Sequence, residues 1–131
     1  MRKTTPVQHI ARRTFDAPDE IRQAGTGRAE VLDFGDVSLM RFTLPVGWKW
    51  SRHVKPLTKS GSCQARHVEY VLSGFLHAVM DDGTEIEIGP GDATFIPPGH
   101  DAWIVGDETF EAVDFQGAAT YAKPSAAAEA A

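Results

Sequence analysis

The sequence predicts an all-β domain, a sandwich or barrel of short strands. Three observations carry this. β-rich runs recur at a spacing of about 8–12 residues from Ala29 to Gln116. Clusters of Gly, Pro and Asp separate them, as turns require. "FLHAVM" and "TEIEI" flank Asp81-Asp82-Gly83, a strong two-strand hairpin signal.

Taken in order, residues 1 to about 16 read as an arm. Val7-Gln8-His9-Ile10 alternates as a strand would, and such an arm can pair with a sheet edge in its own or a neighbouring subunit. "DAPDEIRQAGTGR" (16–28) combines a capping residue, a Pro and a glycine stop, which predicts one short helical turn. "AEVLDFG" and "VSLMRFTL" are strands split by Gly35-Asp36. "VGWKWSRHVK" follows Pro45 with alternating aromatics, and "CQARHVEYVLS" is a strand that ends at Gly74. After the hairpin, "GPGD" is a turn and "ATFIP" a strand broken by Pro97-Pro98-Gly99. "DAWIVG" and "TFEAVDFQ" complete the set. The tail turns Ala-rich after Pro124, and "SAAAEAA" is too short to hold a helix alone. The expected organisation is an arm over 1–28, a barrel over 29–117 and a tail over 118–131 that is disordered or briefly helical.

The chain has 131 residues, which suits one domain with a core of its own. Its 42% hydrophobic and 24% charged residues are ordinary for a soluble globular protein. A net charge of −5 and the lack of a basic stripe argue against a nucleic-acid partner. The single cysteine cannot form an internal disulfide, which points to a reducing compartment. No apolar run reaches the roughly 18 residues of a membrane span, and the basic N-terminus lacks the apolar stretch of a secretory signal. A cytoplasmic protein with no membrane partner is expected.

One segment carries a resemblance. "GPGDATFIPPGHDAW" has a Gly91-Asp92 turn, a five-residue strand and then Pro97-x-Gly99. Upstream, Gly47 and Gly74 stand where a first glycine-bounded motif would open and close. From Pro45 to about Phe115 the chain resembles the small single-domain cupins. The resemblance implies a jelly-roll barrel with a central pocket that often binds a divalent metal, and small barrels of this kind are commonly homodimers. It also implies departures. Seven residues before Gly74, where the cupins keep a glutamate ligand, stands His67. Four residues earlier, at a histidine position, stands Cys63. Ala102 occupies the place of the second-motif histidine, with His100 two residues before it. A second alignment puts His53 at the first histidine position and Lys55 at the next.

Side chains two apart on a strand share a face. Cys63, His67 and Glu69 therefore point one way on an unbulged strand, and His100 shares the inward parity of Ala102. A thiolate, two imidazoles and one open position match a catalytic zinc arrangement. Sulfur and nitrogen donors favour zinc or copper, with iron, nickel or manganese as further options. Each residue also has a bland reading: Cys63 as a small buried apolar residue, His67 as a histidine bonded to a carbonyl, and His100 as a loop residue bonded to Asp101. Glu69 reads as a general base or as a solvated strand residue, and Asp101 as an orienting partner or a turn carboxylate. Trp48, Trp50 and Trp103 read as packing.

The leading expectation is a barrel that holds a metal on Cys63, His67 and His100 and binds or transforms a small molecule there, with Glu69 moving protons. As an enzyme it would be of oxygenase, isomerase or lyase type. The alternatives are a non-catalytic ligand-binding or sensing barrel without metal, and a metal-free acid–base isomerase or lyase.

Overall fold

A computed structural model of the chain describes residues 6–119 and 121–123. Its strands are β1 (Glu20–Ala24), β2 (Gly27–Asp33), β3 (Ser38–Leu44), β4 (His67–Ser73), β5 (Phe75–Met80), β6 (Glu85–Ile88), β7 (Ala93–Ile96), β8 (His100–Val105) and β9 (Phe110–Asp114). One sheet has six strands in the order β1-β2-β3-β9-β4-β7, and the other three in the order β6-β5-β8. Every pairing is antiparallel. Two short helices, α1 (Trp50–His53) and α2 (Lys55–Thr58), lie in the connection from β3 to β4. Among the described residues no helix is long and apolar enough to cross a membrane.

Alternation places the core. Met40, Phe42 and Leu44 of β3, Ala102 and Ile104 of β8, and Phe110 and Ala112 of β9 are buried at every second position. In β4 the same parity buries His67, Glu69 and Val71. β4 and β9 run antiparallel with Val71 opposite Ala112 and Glu69 opposite Asp114. This register gathers the polar inward residues at one end of the jelly roll and leaves aliphatic and aromatic side chains at the other. His100, the first residue of β8, joins that polar end.

Four local expectations need correction. Residues 16–28 form β1 and a hairpin to β2, with no helical turn. Arg22 and Ala24 are buried while Ile21 and Gln23 are exposed, so a period of two fits the sheet edge and pairing outweighs the capping signal. The aromatic alternation after Pro45 runs into α1 and α2 and does not form a strand. Pro56 sits in the first turn of α2, where its missing N–H is harmless; both indoles are nonetheless buried as expected. β4 starts at His67, and Cys63 makes only an isolated bridge to His100. Val7 donates its N–H to the Phe34 carbonyl at 3.0 Å, yet residues 7–10 form no strand. At the other terminus a 3-10 turn over Gly117–Ala119 leads to Tyr121, which is buried in the core. The Ala-rich stretch 124–131 lies outside the described residues.

Gly74, between β4 and β5, has φ +74, and a Cβ there would stand 2.6 Å from Phe110 Cα and Thr109 O. Both are backbone atoms and neither can swing aside. Gly74→Ala should therefore cost about 3 kcal/mol, seen as a lower denaturant midpoint at unchanged m-value. A variant as stable as the parent would refute this account of the turn.

Candidate metal centre

Cys63, His67 and His100 each offer one ligand atom within 4.8 Å of the others, and all three are buried. They arrive from separate elements. His67 opens β4 and His100 opens β8. Cys63 is held beside β8 by its bridge, in which its N–H donates to His100 O at 2.7 Å and its carbonyl accepts from Gly99 N at 2.7 Å. Cys63 Sγ stands 3.9 Å from His67 Nε2. A tetrahedral ion at about 2.3 Å from sulfur and about 2.0 Å from nitrogen holds such donors about 3.5 Å apart. The pair is thus close to ligating separation.

The rear of each imidazole is occupied. His67 Nδ1 is hydrogen-bonded to Asp114 Oδ2. His100 Nδ1 donates to the Pro97 carbonyl at 2.7 Å. With Nδ1–H committed in both rings, each Nε2 is left to face the cluster. A carboxylate or carbonyl behind a metal-binding histidine fixes its tautomer and orientation in this way. Asp114 is itself held: its Oδ1 accepts the N–H groups of Gln116 at 2.8 Å and Gly117 at 3.0 Å. Gly117 is needed for this approach, since a Cβ there would come within 2.4 Å of Asp114 Oδ2 and 2.8 Å of His67 Nδ1.

The electrostatics follow from this packing. Burial pushes the Cys63 thiol up, but hydrogen bonds to His100 and His67 and their charges outweigh it and bring it from 9.0 down to about 6. Burial pushes His67 down, while its bonds to Asp114 and Cys63 and the charges of Glu69 and Asp114 raise it well above an ordinary histidine. Burial lifts Glu69 to about 7 against the pull of His67. Glu69 belongs to a second group, with His67 and Asp114, whose ligand atoms also lie within 4.8 Å of one another. No described residue donates a hydrogen bond to it, and its carboxylate borders the central cavity of about 30 Å³, together with Cys63, His67, His100, Trp50 and Tyr121.

The structure thus brings together Cys63, His67, His100 and Glu69. It does not bring in His53, whose Nδ1 accepts from the Lys49 N–H at 3.1 Å, whose ring stacks on Trp48 and which does not line the central cavity. Asp101 orients no histidine: its Oδ1 accepts from Ser51 N at 3.1 Å and Ala102 N at 2.8 Å. The orienting carboxylate is Asp114, which the sequence reading passed over. Its signal was an acid on the inward parity of Phe110 and Ala112.

Many solved structures resemble this one, three of them as follows. A Cupin 2 conserved barrel domain protein from Salinispora arenicola CNS-205 superposes with a TM-score of 0.58 at 18% identity, over 83% of this chain and 89% of its own. The fold is a cupin fold. The chain also matches a protein of unknown function from Rhizobium leguminosarum bv. viciae 3841, with a TM-score of 0.59 at 17% identity over 89% of this chain and 99% of the other. The polyketide cyclase RemF from Streptomyces resistomycificus matches with a TM-score of 0.57 at 21% identity, over 82% and 79%. No protein-family model and no curated protein matches the sequence.

In metal-free protein the ultraviolet absorbance of the Cys63 thiolate should appear with a midpoint near pH 6. The thiolate is present above that pH and lost below it, because a lowered pKa means the charged form is the stabilised one. Asp114→Asn, which weakens the positive charge on His67, should move the midpoint upward. A midpoint at the ordinary thiol value in the parent would show that the imidazoles do not act on Cys63.

Proposed function

We propose that the chain is a metal-binding cupin whose ion sits on Cys63, His67 and His100 and leaves one position for a small molecule. The observation that supports it is the convergence of the three donors with both histidine Nδ1 atoms tied from behind. The donor set fits zinc or copper better than an oxygen-seeking cation. When bound, the ion would supply Lewis acidity or lower the pKa of a bound water. The protein's own groups do the rest. Asp114 holds His67 in the tautomer that presents Nε2. Pro97 O does the same for His100. Glu69, lifted to about 7, can hold or release a proton at the cavity near neutral pH.

One observation favours a second reading. Asp114, His67 and Cys63 stand in line, carboxylate to imidazole to thiol, with the thiol at about 6. Such a chain can move a proton or present a thiolate without metal. The relay itself does not run through His100, whose hydrogen bond also lowers the thiol, and the metal reading ranks first because it uses all three groups as ligands. Activity that survives exhaustive chelation would reverse the ranking.

The small molecule would enter the central cavity. We further propose a homodimer formed over the outer face of β4 and β7. Tyr70, Leu72 and Phe95 are 46%, 49% and 57% exposed there, and β7 is an edge strand.

Protein purified without chelator should carry about one zinc or copper ion per chain. Cys63→Ala and His67→Ala should each abolish stoichiometric binding, and Asp114→Asn should weaken it roughly 10–100-fold. Protein that takes up none of zinc, copper, iron, nickel or manganese removes the proposal. For the assembly, light scattering should give twice the chain mass, and Phe95→Lys should give the monomer; a monomeric parent contradicts the dimer.

A further inference from the structure

Among the described residues, four buried polar side-chain atoms have no hydrogen-bond partner: Trp48 Nε1, Trp50 Nε1, Thr94 Oγ1 and Tyr121 Oη. Buried donors are nearly always paired, so each exception asks for a water, a ligand or a packing reason. Trp48 has a packing reason. Its Nε1 lies against Gly27, where a Cβ would come within 2.4 Å of it, so the indole closes over the β1–β2 hairpin. Thr94 does not line the central cavity. Trp50 and Tyr121 do, beside Cys63, His67, Glu69 and His100.

Tyr121 is held there from two sides. Its N–H donates to Gly117 O at 3.0 Å, and its carbonyl accepts from Nη1 of the buried Arg22 at 3.0 Å. Its ring meets Phe42 edge-on at 4.7 Å and His67 at 6.2 Å. A phenol is protonated at neutral pH, so Tyr121, which lines the cavity, has an O–H to donate and no partner for it among the described residues. Trp50 is 2% exposed and Tyr121 4%. An indole N–H can only donate, so what pairs with Trp50 must offer an acceptor atom, and the same acceptor can take the O–H of Tyr121, since a phenol donates as well as accepts. The cavity of about 30 Å³ has room for two or three water-sized groups.

We propose that Trp50 Nε1 and Tyr121 Oη form an acceptor subsite, so that the molecule taken into the cavity presents a carbonyl or carboxylate oxygen to them, next to Cys63, His67 and His100. This rests on the metal-centre reading for the ion beside it, but the two donors are not ligands and their pairing is testable separately. The oxygen could belong to an anion or to a neutral carbonyl, and the two sources differ in charge at equal size.

Three tryptophans make the test direct. An NMR spectrum of nitrogen-labelled, zinc-treated protein should show three indole N–H signals, and Trp50→Phe identifies that of Trp50. Titration with formate, or with formamide of the same size, should move the Trp50 signal saturably and leave that of Trp103 in place. Tyr121→Phe should weaken the apparent affinity about threefold to tenfold, the worth of one hydrogen bond. Formate alone acting assigns a carboxylate, and formamide assigns a neutral carbonyl. A Trp50 signal that answers neither probe overturns the subsite and leaves its donors to water. So does an affinity that Tyr121→Phe leaves unchanged. Zinc uptake is measured on the same sample. If uptake fails, the metal reading falls alone, and the same titration on the metal-free chain still decides the subsite. If Tyr121→Phe unfolds by circular dichroism, the Trp50 response of the parent decides.

Discussion

The carboxylate of Asp114 has no exposed surface, and the polar end of the barrel is built around it. A charge taken out of water costs several kcal/mol unless hydrogen bonds and an opposite charge replace the solvent. Here two backbone N–H groups fill Oδ1 and the imidazole of His67 fills Oδ2. The turn that supplies those N–H groups passes so close that only glycine fits at 117. One buried charge thus fixes the path of the chain after β9, the tautomer of His67 and the direction of its Nε2. It also sets where Tyr121 lands, because the N–H of Tyr121 is bonded to Gly117.

The antiparallel register of β4 and β9 confines this arrangement to one end. Glu69 lies opposite Asp114, and two residues further along Val71 lies opposite Ala112. A step of one residue would turn His67 and Glu69 outward and bring Val68 and Tyr70 in. The same pairing that seals the core therefore aims the site. At the other end, Leu44, Phe110 and Ile104 supply the apolar packing that the polar end cannot. Stability and chemistry are divided along the strands, with no separate layer for either.

Much of this was legible in the sequence, for identifiable reasons. Turn residues and period-two alternation located most strands, since both signals are local. The glycine counts from Gly74 and Gly99 brought Cys63, His67 and His100 together without any knowledge of pairing. The reading lost ground where tertiary structure overrides local signal. The cap and proline of 16–28 look helical, but that segment is the sheet's edge strand and pairing decides its form. The tryptophans after Pro45 alternate like a strand, but the chain turns into short helices around Pro56. Asp114 and Tyr121 were missed for different reasons. Asp114 sat within a correctly read strand, and the oddity of an acid on its inward face went unread. Tyr121 sat in an Ala-rich stretch whose composition suggested a tail, and nothing local shows that Arg22, 99 residues away, holds it in the core.

Glu69 looks anomalous in isolation, a buried carboxylate that accepts no hydrogen bond from a described residue. The charge balance gives it a place. Without an ion, Cys63 is a thiolate and His67 an imidazolium, while burial leaves Glu69 largely neutral up to about pH 7. An ion on the proposed ligands brings two positive charges and removes the Nε2 proton of His67, because ligating imidazole is neutral. One positive charge is then in excess. Ionisation of Glu69 cancels it, so two protons leave as one divalent ion arrives and the net charge of the buried group is unchanged. On this account Glu69 is kept buried, with no hydrogen bond from a described residue, so that its proton stays exchangeable. A hydrogen-bonded carboxylate at the same position would be ionised in both states and could not offset the ion.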